Sequence, residues 1–154
     1  MSAGAWVLLA AVVVALVGGA WWSLTNGVFR GTHRVRGGLE TGAERLPPPS
    51  VSVLAGTAYD AQRGDRATLL QFSSAFCAPC RATRRTLADV AGSVPGVTHV
   101  EIDAEHHLDL VRALGVLRTP TTLVLDGQGR ETTRATGAPR PGQVLAALES
   151  GIQA

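Results

Sequence analysis

The sequence predicts a small α/β domain, with a mixed central sheet flanked by helices, preceded by one transmembrane helix. An uncharged apolar stretch at the N-terminus predicts the transmembrane helix, and alternating strand-like and helix-like patterns from residue 51 onward predict the domain. Such alternation is typical of parallel strands joined by crossover helices. A hairpin near the end adds an antiparallel edge. We therefore divide the chain into a transmembrane anchor (1–25), a flexible linker (26–50) and a folded domain (51–154).

The apolar stretch at residues 3–24 is long enough to cross a bilayer, because about 20 helical residues span the hydrocarbon core. Trp6 lies near one end and Trp21 and Trp22 near the other, where indole rings favour the membrane interface. A cleaved signal peptide is the alternative. However, no basic residue precedes the stretch, and no clear Ala-x-Ala site follows it. We expect a retained, single-pass anchor in the cell membrane.

The linker predicted for residues 26–50 is rich in Gly, Arg and Pro and shows no apolar periodicity. A Pro triplet at 47–49 favours extended geometry. Basic residues follow the apolar stretch but do not precede it; those near the membrane are Arg30, Arg34, Arg36 and Arg45. The positive-inside rule therefore favours a cytoplasmic location for the folded domain, and the extracytoplasmic orientation stays open.

The elements of the domain follow from apolar periodicity and turn residues. A candidate first edge strand occupies residues 51–54, and a short helix or turn lies around residue 61. Further strands are predicted at 68–73, 97–102, 121–125 and 131–136, and helices at 81–91, 106–114 and 141–148. Asp126 to Gly129 is a hairpin turn signal.

The two cysteines, Cys77 and Cys80, stand at the junction between the strand at 68–73 and the next helix. One sulfur therefore lies at a helix N-terminus, where unpaired backbone N–H groups and the helix dipole favour a thiolate. The thiolate is the species that attacks disulfides. This placement predicts a dithiol–disulfide redox site. With no cysteine left for a structural bridge, the pair does not select between redox compartments.

Several separated motifs resemble the thioredoxin family over nearly all of residues 51–154. They are Phe76-Cys77-Ala78-Pro79-Cys80-Arg81, Val100-Glu101-Ile102-Asp103, Gly115-Val116-Leu117-Arg118-Thr119-Pro120-Thr121, the hairpin at 126–129, and Gly137 before the last helix. A lone Cys-x-x-Cys is a weak signal, but a Thr-Pro pair about 40 positions later makes it specific. The resemblance implies the thioredoxin fold and a thiol–disulfide oxidoreductase of the protein-disulfide reductase type.

The resemblance also implies roles for individual residues. Cys77 is the exposed attacking thiol and Cys80 the buried resolving thiol, which releases the mixed disulfide. Thr119–Pro120 is expected to be a cis peptide bond, in a loop that lies beside the dithiol and pairs with the substrate backbone. Pro79 matches the usual proline of the family motif, early in the helix where a missing N–H costs little.

Three positions depart from the family pattern. Phe76 replaces the usual Trp, which keeps an aromatic shield but loses the indole donor. Gln71 replaces the buried acid beneath the dithiol and cannot titrate. His99 falls where the family often has a Lys, and is a candidate replacement proton carrier. The alternative for His99 is a strand histidine bonded to a neighbour. Glu101 and Asp103 are expected to be surface or turn residues.

The resemblance implies no cofactor other than the redox-active disulfide Cys77–Cys80. The expected partners are protein disulfide or dithiol substrates, a redox protein or membrane electron donor, and the lipid bilayer around residues 3–24. A net charge of +2 gives no indication of nucleic-acid binding. No metal site is expected, because one Cys-x-x-Cys supplies two of the four ligands that zinc needs and His106 and His107 are adjacent.

A redox-silent adaptor at the membrane is the alternative function, because the same fold can serve as a peptide-docking module. The loss of the buried acid at Gln71 mildly favours this interpretation. The presence of both cysteines together with the Thr119–Pro120 loop argues against it, because an adaptor needs neither.

Overall fold

The computed structural model describes residues 3–25, 27–31 and 51–152. These residues form one long N-terminal helix, a sheet, and three further helices around the sheet. The elements are α1 (Ala3–Thr25), β1 (Phe29–Gly31), a 3-10 turn (Asp60–Gln62), β2 (Ala67–Ser73), α2 (Ala78–Ser93), β3 (Val97–Asp103), α3 (Leu108–Ala113), β4 (Thr121–Asp126), β5 (Glu131–Thr136) and α4 (Pro141–Ile152).

The strands described form one mixed sheet in the order β1-β5-β4-β2-β3. β2 and β3 are parallel because α2 crosses between them. β4 runs antiparallel to β2, and β5 returns antiparallel to β4 through the hairpin at 126–129. The predicted α/β class with a mixed sheet is confirmed. This order places β2, which leads to the cysteines, inside the sheet between β3 and β4.

Every residue of β2 is buried, as expected for an inner strand covered on both faces. Leu69 packs into a cluster with α2 and α4, whereas Leu70 packs into a second cluster on the other face. Successive side chains of a strand point to opposite faces, so β2 joins the two halves of the core. Each such side chain contributes about 1.5–3 kcal/mol to folding when fully buried. The end of β2 is therefore a rigid support for the turn that carries the cysteines.

The edge strand predicted at residues 51–54 is wrong, because that segment forms turns. Val53 and Leu54 both pack against the second core cluster. Consecutive residues of a strand point to opposite faces, so an extended strand could not place both there. The N–H of Leu54 instead bonds to the Ser52 hydroxyl within a turn.

The edge of the sheet next to β5 is instead formed by β1, Phe29–Gly31, which lies inside the stretch predicted as linker (26–50). It pairs antiparallel with β5, and Phe29 packs against the first core cluster. One apolar side chain and three residues of pairing are too short a signal for periodicity to detect. Residues 26 and 32–50 of the predicted linker, including Arg34, Arg36, Arg45 and the Pro triplet, lie outside the described residues.

Helix α1 is apolar along its length, and its window Gly4–Trp21 has a mean hydropathy of 2.1. None of that window is buried against the rest of the protein. Length and composition would allow the helix to cross a membrane. A signal sequence near an N-terminus meets the same criteria.

Candidate active site

The two cysteines lie at the start of α2, directly beyond the end of β2. Cys77 is the N-cap residue with extended backbone angles, and its sulfur accepts a hydrogen bond from the backbone N–H of Cys80 at 3.1 Å. Pro79 lies in the first turn, where helices leave backbone N–H groups unpaired. A disulfide joins Cys77 to Cys80, with the Cα atoms 5.2 Å apart. The structure therefore shows the oxidised form of the pair.

The environments of the two sulfur-bearing residues differ. Cys80 is 1% exposed, whereas Cys77 is partly exposed at the domain surface. Phe76 is fully exposed, and its role as an aromatic shield of the dithiol stays a prediction. The ring belongs to the turn before the N-cap and projects away from the domain. An incoming group can therefore approach Cys77 but not Cys80.

The Thr119–Pro120 peptide is cis, as the resemblance implied. Phe72 of β2 is paired with Thr121 of β4, so the loop before β4 and the cysteines after β2 lie at the same end of the sheet. The hydroxyls of Ser74 and Thr119 share a hydrogen bond of 3.0 Å, which joins the segment before the cysteines to this loop. The cis-proline loop thus lies beside the dithiol.

Beneath the dithiol, Gln71 is fully buried and bonded at both ends of its amide. Its Nε2 donates to the Cys80 carbonyl at 3.0 Å, and its Oε1 lies 3.2 Å from His99 Nε2. Because the amide oxygen can only accept, Nε2 of His99 carries the proton in this contact. Burial lowers the pKa of His99, and Arg84 lowers it further although Glu101 opposes both. The described contacts therefore connect a neutral His99 to the Cys80 main chain through Gln71.

A polar cleft of about 400 Å³ opens beside Cys80, bounded by the end of β2, by α2 and by β3. Glu101 borders it and accepts a hydrogen bond from Arg84 at 2.7 Å. Burial raises the pKa of Glu101, but hydrogen bonds from Arg84 and Ser73 outweigh burial and leave the pKa below its usual value. An ionised carboxylate therefore borders the same cleft as the buried cysteine.

Glu101 is expected from its sequence to be a surface or turn residue, and its place near the dithiol is not predicted. The sequence contained one indication that Glu101 lies near the dithiol. Parallel pairing of the two predicted strands sets Glu101 directly opposite Gln71. Choosing that register requires the tertiary structure. Within the described ranges, no three His, Cys, Asp or Glu side chains gather in a way that could hold a metal ion.

A family model described as a thioredoxin-like domain matches residues 58–152. Among curated proteins, Thioredoxin H2-2 of Oryza sativa subsp. japonica is 27% identical over 107 residues, which is 60% of this chain and 79% of the relative. Thioredoxin-2 of Pyricularia oryzae is 27% identical over 82 residues, or 53% of this chain. The match spans about half of the Pyricularia protein, at 47% of its length.

Solved structures show the same fold. The thioredoxin of Trypanosoma brucei brucei superposes with a TM-score of 0.54 at 24% identity, covering 73% of this chain and 99% of that one. Thioredoxin NaTrxh of Nicotiana alata gives 0.53 at 20% identity, covering 71% and 98%. Because the family model covers more than half of the chain and Cys77 and Cys80 form the disulfide of its Cys-x-x-Cys motif, the chain belongs to the thioredoxin-like domain family and is a thiol–disulfide oxidoreductase.

Proposed function

We propose that this protein is a membrane-tethered thiol–disulfide oxidoreductase that exchanges disulfides of protein substrates through Cys77-Ala78-Pro79-Cys80. One observation carries the proposal. A disulfide between a partly exposed and a buried cysteine lies at a helix N-terminus. Ser74, in the segment before the cysteines, is hydrogen-bonded to Thr119 of the cis-proline loop. An adaptor would need neither the sulfur pair nor its asymmetry.

The exposure difference supports the order of the two chemical steps. In the reduced protein the Cys77 thiolate, stabilised by the Cys80 N–H, attacks one sulfur of a substrate disulfide. The substrate S–S bond breaks, a mixed disulfide forms, and the leaving substrate thiolate takes a proton. Cys80 then attacks the sulfur of Cys77 and releases the second substrate thiol. Two electrons pass to the substrate, and the protein ends in the oxidised form that the structure shows.

Substrate binding is assigned to the surface around Cys77. Phe76 and Leu117 are 100% and 95% exposed, one next to Cys77 and the other in the loop that leads to Pro120. They offer apolar contacts on either side of the sulfur, while the main chain of the Thr119–Pro120 loop pairs with the substrate backbone. Pro79 supports the site from the first turn of α2, where it leaves no N–H to satisfy.

Proton transfer from Cys80 is assigned to the cleft side of the site. Gln71 cannot accept a proton, and His99 contacts Gln71 Oε1. His99 is therefore a positioning residue for Gln71 by its described contacts, and its role as a proton carrier stays a prediction. Glu101 is an ionised group that borders the cleft beside Cys80 and can receive the proton through water.

The membrane tether is supported by α1, whose residues from Gly4 to Trp21 are apolar on average and not buried in the folded chain. A signal peptide removed after export is the alternative for the same segment. The positive-inside rule favours a cytoplasmic domain, and the arginines on which this depends lie largely outside the described residues. Electrons then pass between the Cys77–Cys80 pair and another redox protein or a membrane electron donor.

The test is a pair of single substitutions in the full chain, reconstituted in membranes with a disulfide-containing protein substrate. Cys80→Ser is expected to accumulate a mixed disulfide through Cys77 and to abolish turnover. Cys77→Ser is expected to abolish both. Normal partner binding with no mixed disulfide in Cys80→Ser would favour the adaptor function. Membrane and soluble fractions of cells are treated with a thiol-alkylating reagent. The fraction that contains the labelled protein shows whether α1 is retained.

A further inference from the structure

The chain enters the sheet almost directly from α1. α1 ends at Thr25, and the N–H of Gly27 already donates to the carbonyl of Thr136 at 2.9 Å. Two residues of chain span at most about 7 Å. The C-terminal end of α1 therefore lies within one short step of the edge of the sheet.

This point of entry is at the same end of the sheet as the dithiol. The register runs from Phe29 opposite Ala135, through Thr136 opposite Thr121, to Thr121 opposite Phe72, and the cysteines come after Phe72. Main-chain hydrogen bonds place the point of entry at the same end through fewer residues. Gly27 bonds to Thr136, and the next residue, Gly137, donates to the Pro120 carbonyl at 2.8 Å. The hairpin at 126–129 lies at the opposite end.

The connection is closely packed. Gly27 has a φ of +79°, and a Cβ at this position would lie 2.3 Å from the Ala138 carbonyl oxygen. Phe29 packs against the first core cluster. Together these contacts fix the start of β1 to the domain, so that a helix embedded in the bilayer would hold this end of the sheet at the membrane surface.

The exposed residues of this end are suited to a membrane-proximal protein surface. Phe76 and Leu117 are two almost fully exposed apolar side chains at this end. Arg118, next to Leu117 in sequence, and Arg81, directly after Cys80, are also exposed. A soluble substrate would have to enter between this surface and the bilayer. A partner fixed in the same membrane would present its sulfurs at the right height and at high effective concentration.

We propose that the Cys77–Cys80 pair faces the bilayer surface and exchanges with a cysteine pair that an integral membrane protein carries at its water–membrane boundary. This inference rests on the proposed tether and redox activity. In the exchange, a partner thiolate attacks the sulfur of Cys77 in the oxidised protein, and Cys80 leaves as a thiolate and is protonated. The second partner thiolate then releases Cys77. The partner loses two electrons and two protons to the Cys77–Cys80 pair, and the reverse sequence reduces a partner disulfide.

The test uses the full chain in phosphatidylcholine vesicles with synthetic single-span peptides. One peptide carries a reduced Cys-Gly-Gly-Cys directly after its span, and the other carries it after a rigid helical spacer of about 20 residues, or roughly 30 Å. We expect oxidation of the near pair to be about tenfold faster, because only that pair lies at the height of Cys77. Equal rates for the two peptides would overturn the inference.

A matched pair of insertions isolates the role of the short connection. Ten Gly/Ser residues inserted after Asn26 are expected to abolish the preference for the near peptide. The same ten residues inserted between positions 41 and 42, after β1, are expected to leave it unchanged. Loss of the preference in both variants, or in neither, would contradict the proposed geometry.

Two further measurements separate the possible failures. A soluble dithiol peptide reports the redox chemistry alone, so that no reaction with it in the wild-type chain would overturn the proposed function. A fluorophore on Cys77 in Cys80→Ser, quenched by nitroxide lipids, reports the distance to the bilayer, with Gln128→Cys in a chain lacking both native cysteines as the distal control. Quenching at Cys77 together with equal peptide rates would show contact with lipid alone and overturn the membrane-protein partner.

Discussion

At the scale of single residues, the site depends on how Cys77, Cys80 and their polar neighbours are buried. Cys77 is accessible and Cys80 is 1% exposed, although the sequence separates them by only two positions. The polar groups beneath them have different roles. Gln71 holds the Cys80 main chain, His99 holds Gln71, and Glu101 carries a charge into the adjoining cleft.

We expect the stability of the domain below neutral pH to depend on His99. Its pKa in the folded protein lies below the usual 6.5, so between those values the unfolded chain binds a proton that the folded chain does not. The free energy of unfolding should therefore fall as the pH decreases from about 6.5, by at most about 1.4 kcal/mol per pH unit for one proton. Glu101 and Asp103, whose pKa values are lowered, change the free energy of unfolding only at lower pH, because their usual pKa values are 4.5 and 3.8.

We expect His99→Gln to remove this decrease, measured by urea unfolding of the full chain in detergent at pH 7.5, 6.5 and 5.5. His106→Gln is the matched control, because that side chain is 77% exposed. An unchanged pH dependence in His99→Gln would show that His99 is not responsible.

Glu101 should matter more for rate than for stability. Its ion-pair partner Arg84 has a side chain that is 54% exposed, so loss of the pair should cost no more than about 1 kcal/mol. If Glu101 receives the Cys80 proton, Glu101→Gln should slow release of a mixed disulfide by about 100-fold near neutral pH. Stopped-flow measurement of that step checks this, with Asp109→Asn as the control. An unchanged rate would leave the cleft without a role in proton transfer.

At the scale of elements, two connections set the geometry. β2 passes from a fully buried strand into α2 through a short turn, which fixes Cys77 as the helix N-cap. β1 attaches the end of α1 to β5 beside the cis-proline loop. The first connection creates the reactive site, and the second would determine which way that site faces when α1 is embedded in a bilayer.

Docking of β1 should be sensitive to Gly27. Gly27→Ala combines a left-handed backbone, which costs about 1–2 kcal/mol in a non-glycine residue, with a clash against the Ala138 carbonyl. Gly56→Ala is the matched control, because Gly56 has a similar φ of +78° but open space around it. We expect tryptic cleavage after Arg30 to be faster in Gly27→Ala than in Gly56→Ala. Equal cleavage rates would show that the close fit at Gly27 does not hold β1.

At the scale of the whole molecule, orientation and redox direction are linked. A cytoplasmic domain would act as a reductant, whereas an extracytoplasmic one would need re-reduction across the membrane or would act as an oxidant. In either orientation, the shared end of the sheet keeps the Cys77–Cys80 pair next to the bilayer when α1 is embedded.

The reduction potential of the full chain in detergent tests the predicted orientation. We expect equilibration of Cys77–Cys80 with dithiothreitol to give a value near −270 mV, roughly that of a thioredoxin-type reductant. A value near roughly −120 mV would mark an oxidant and contradict the cytoplasmic assignment. If Cys77 and Cys80 formed no disulfide under oxidising conditions, the assignment as a thiol–disulfide oxidoreductase would be contradicted.

Local patterns in the amino-acid sequence, namely apolar periodicity and the strand-to-helix junction, were sufficient to predict the α/β class and the position of the Cys77–Cys80 pair. The cis Thr119–Pro120 bond was implied by the resemblance to the thioredoxin family and not by a local pattern. Element bounds agreed to within about three residues for most helices and strands, because their apolar stripes are short-range signals.

Long-range pairing was needed to establish that β1, rather than residues 51–54, forms an edge of the sheet, and that Glu101 borders the cleft beside Cys80. Strand register and edge pairing depend on which distant segments compete for the same backbone hydrogen bonds. A three-residue strand has too short a sequence pattern to show which segment forms them. The same pairing places the end of α1 beside the dithiol, an arrangement that no local pattern in the chain contains.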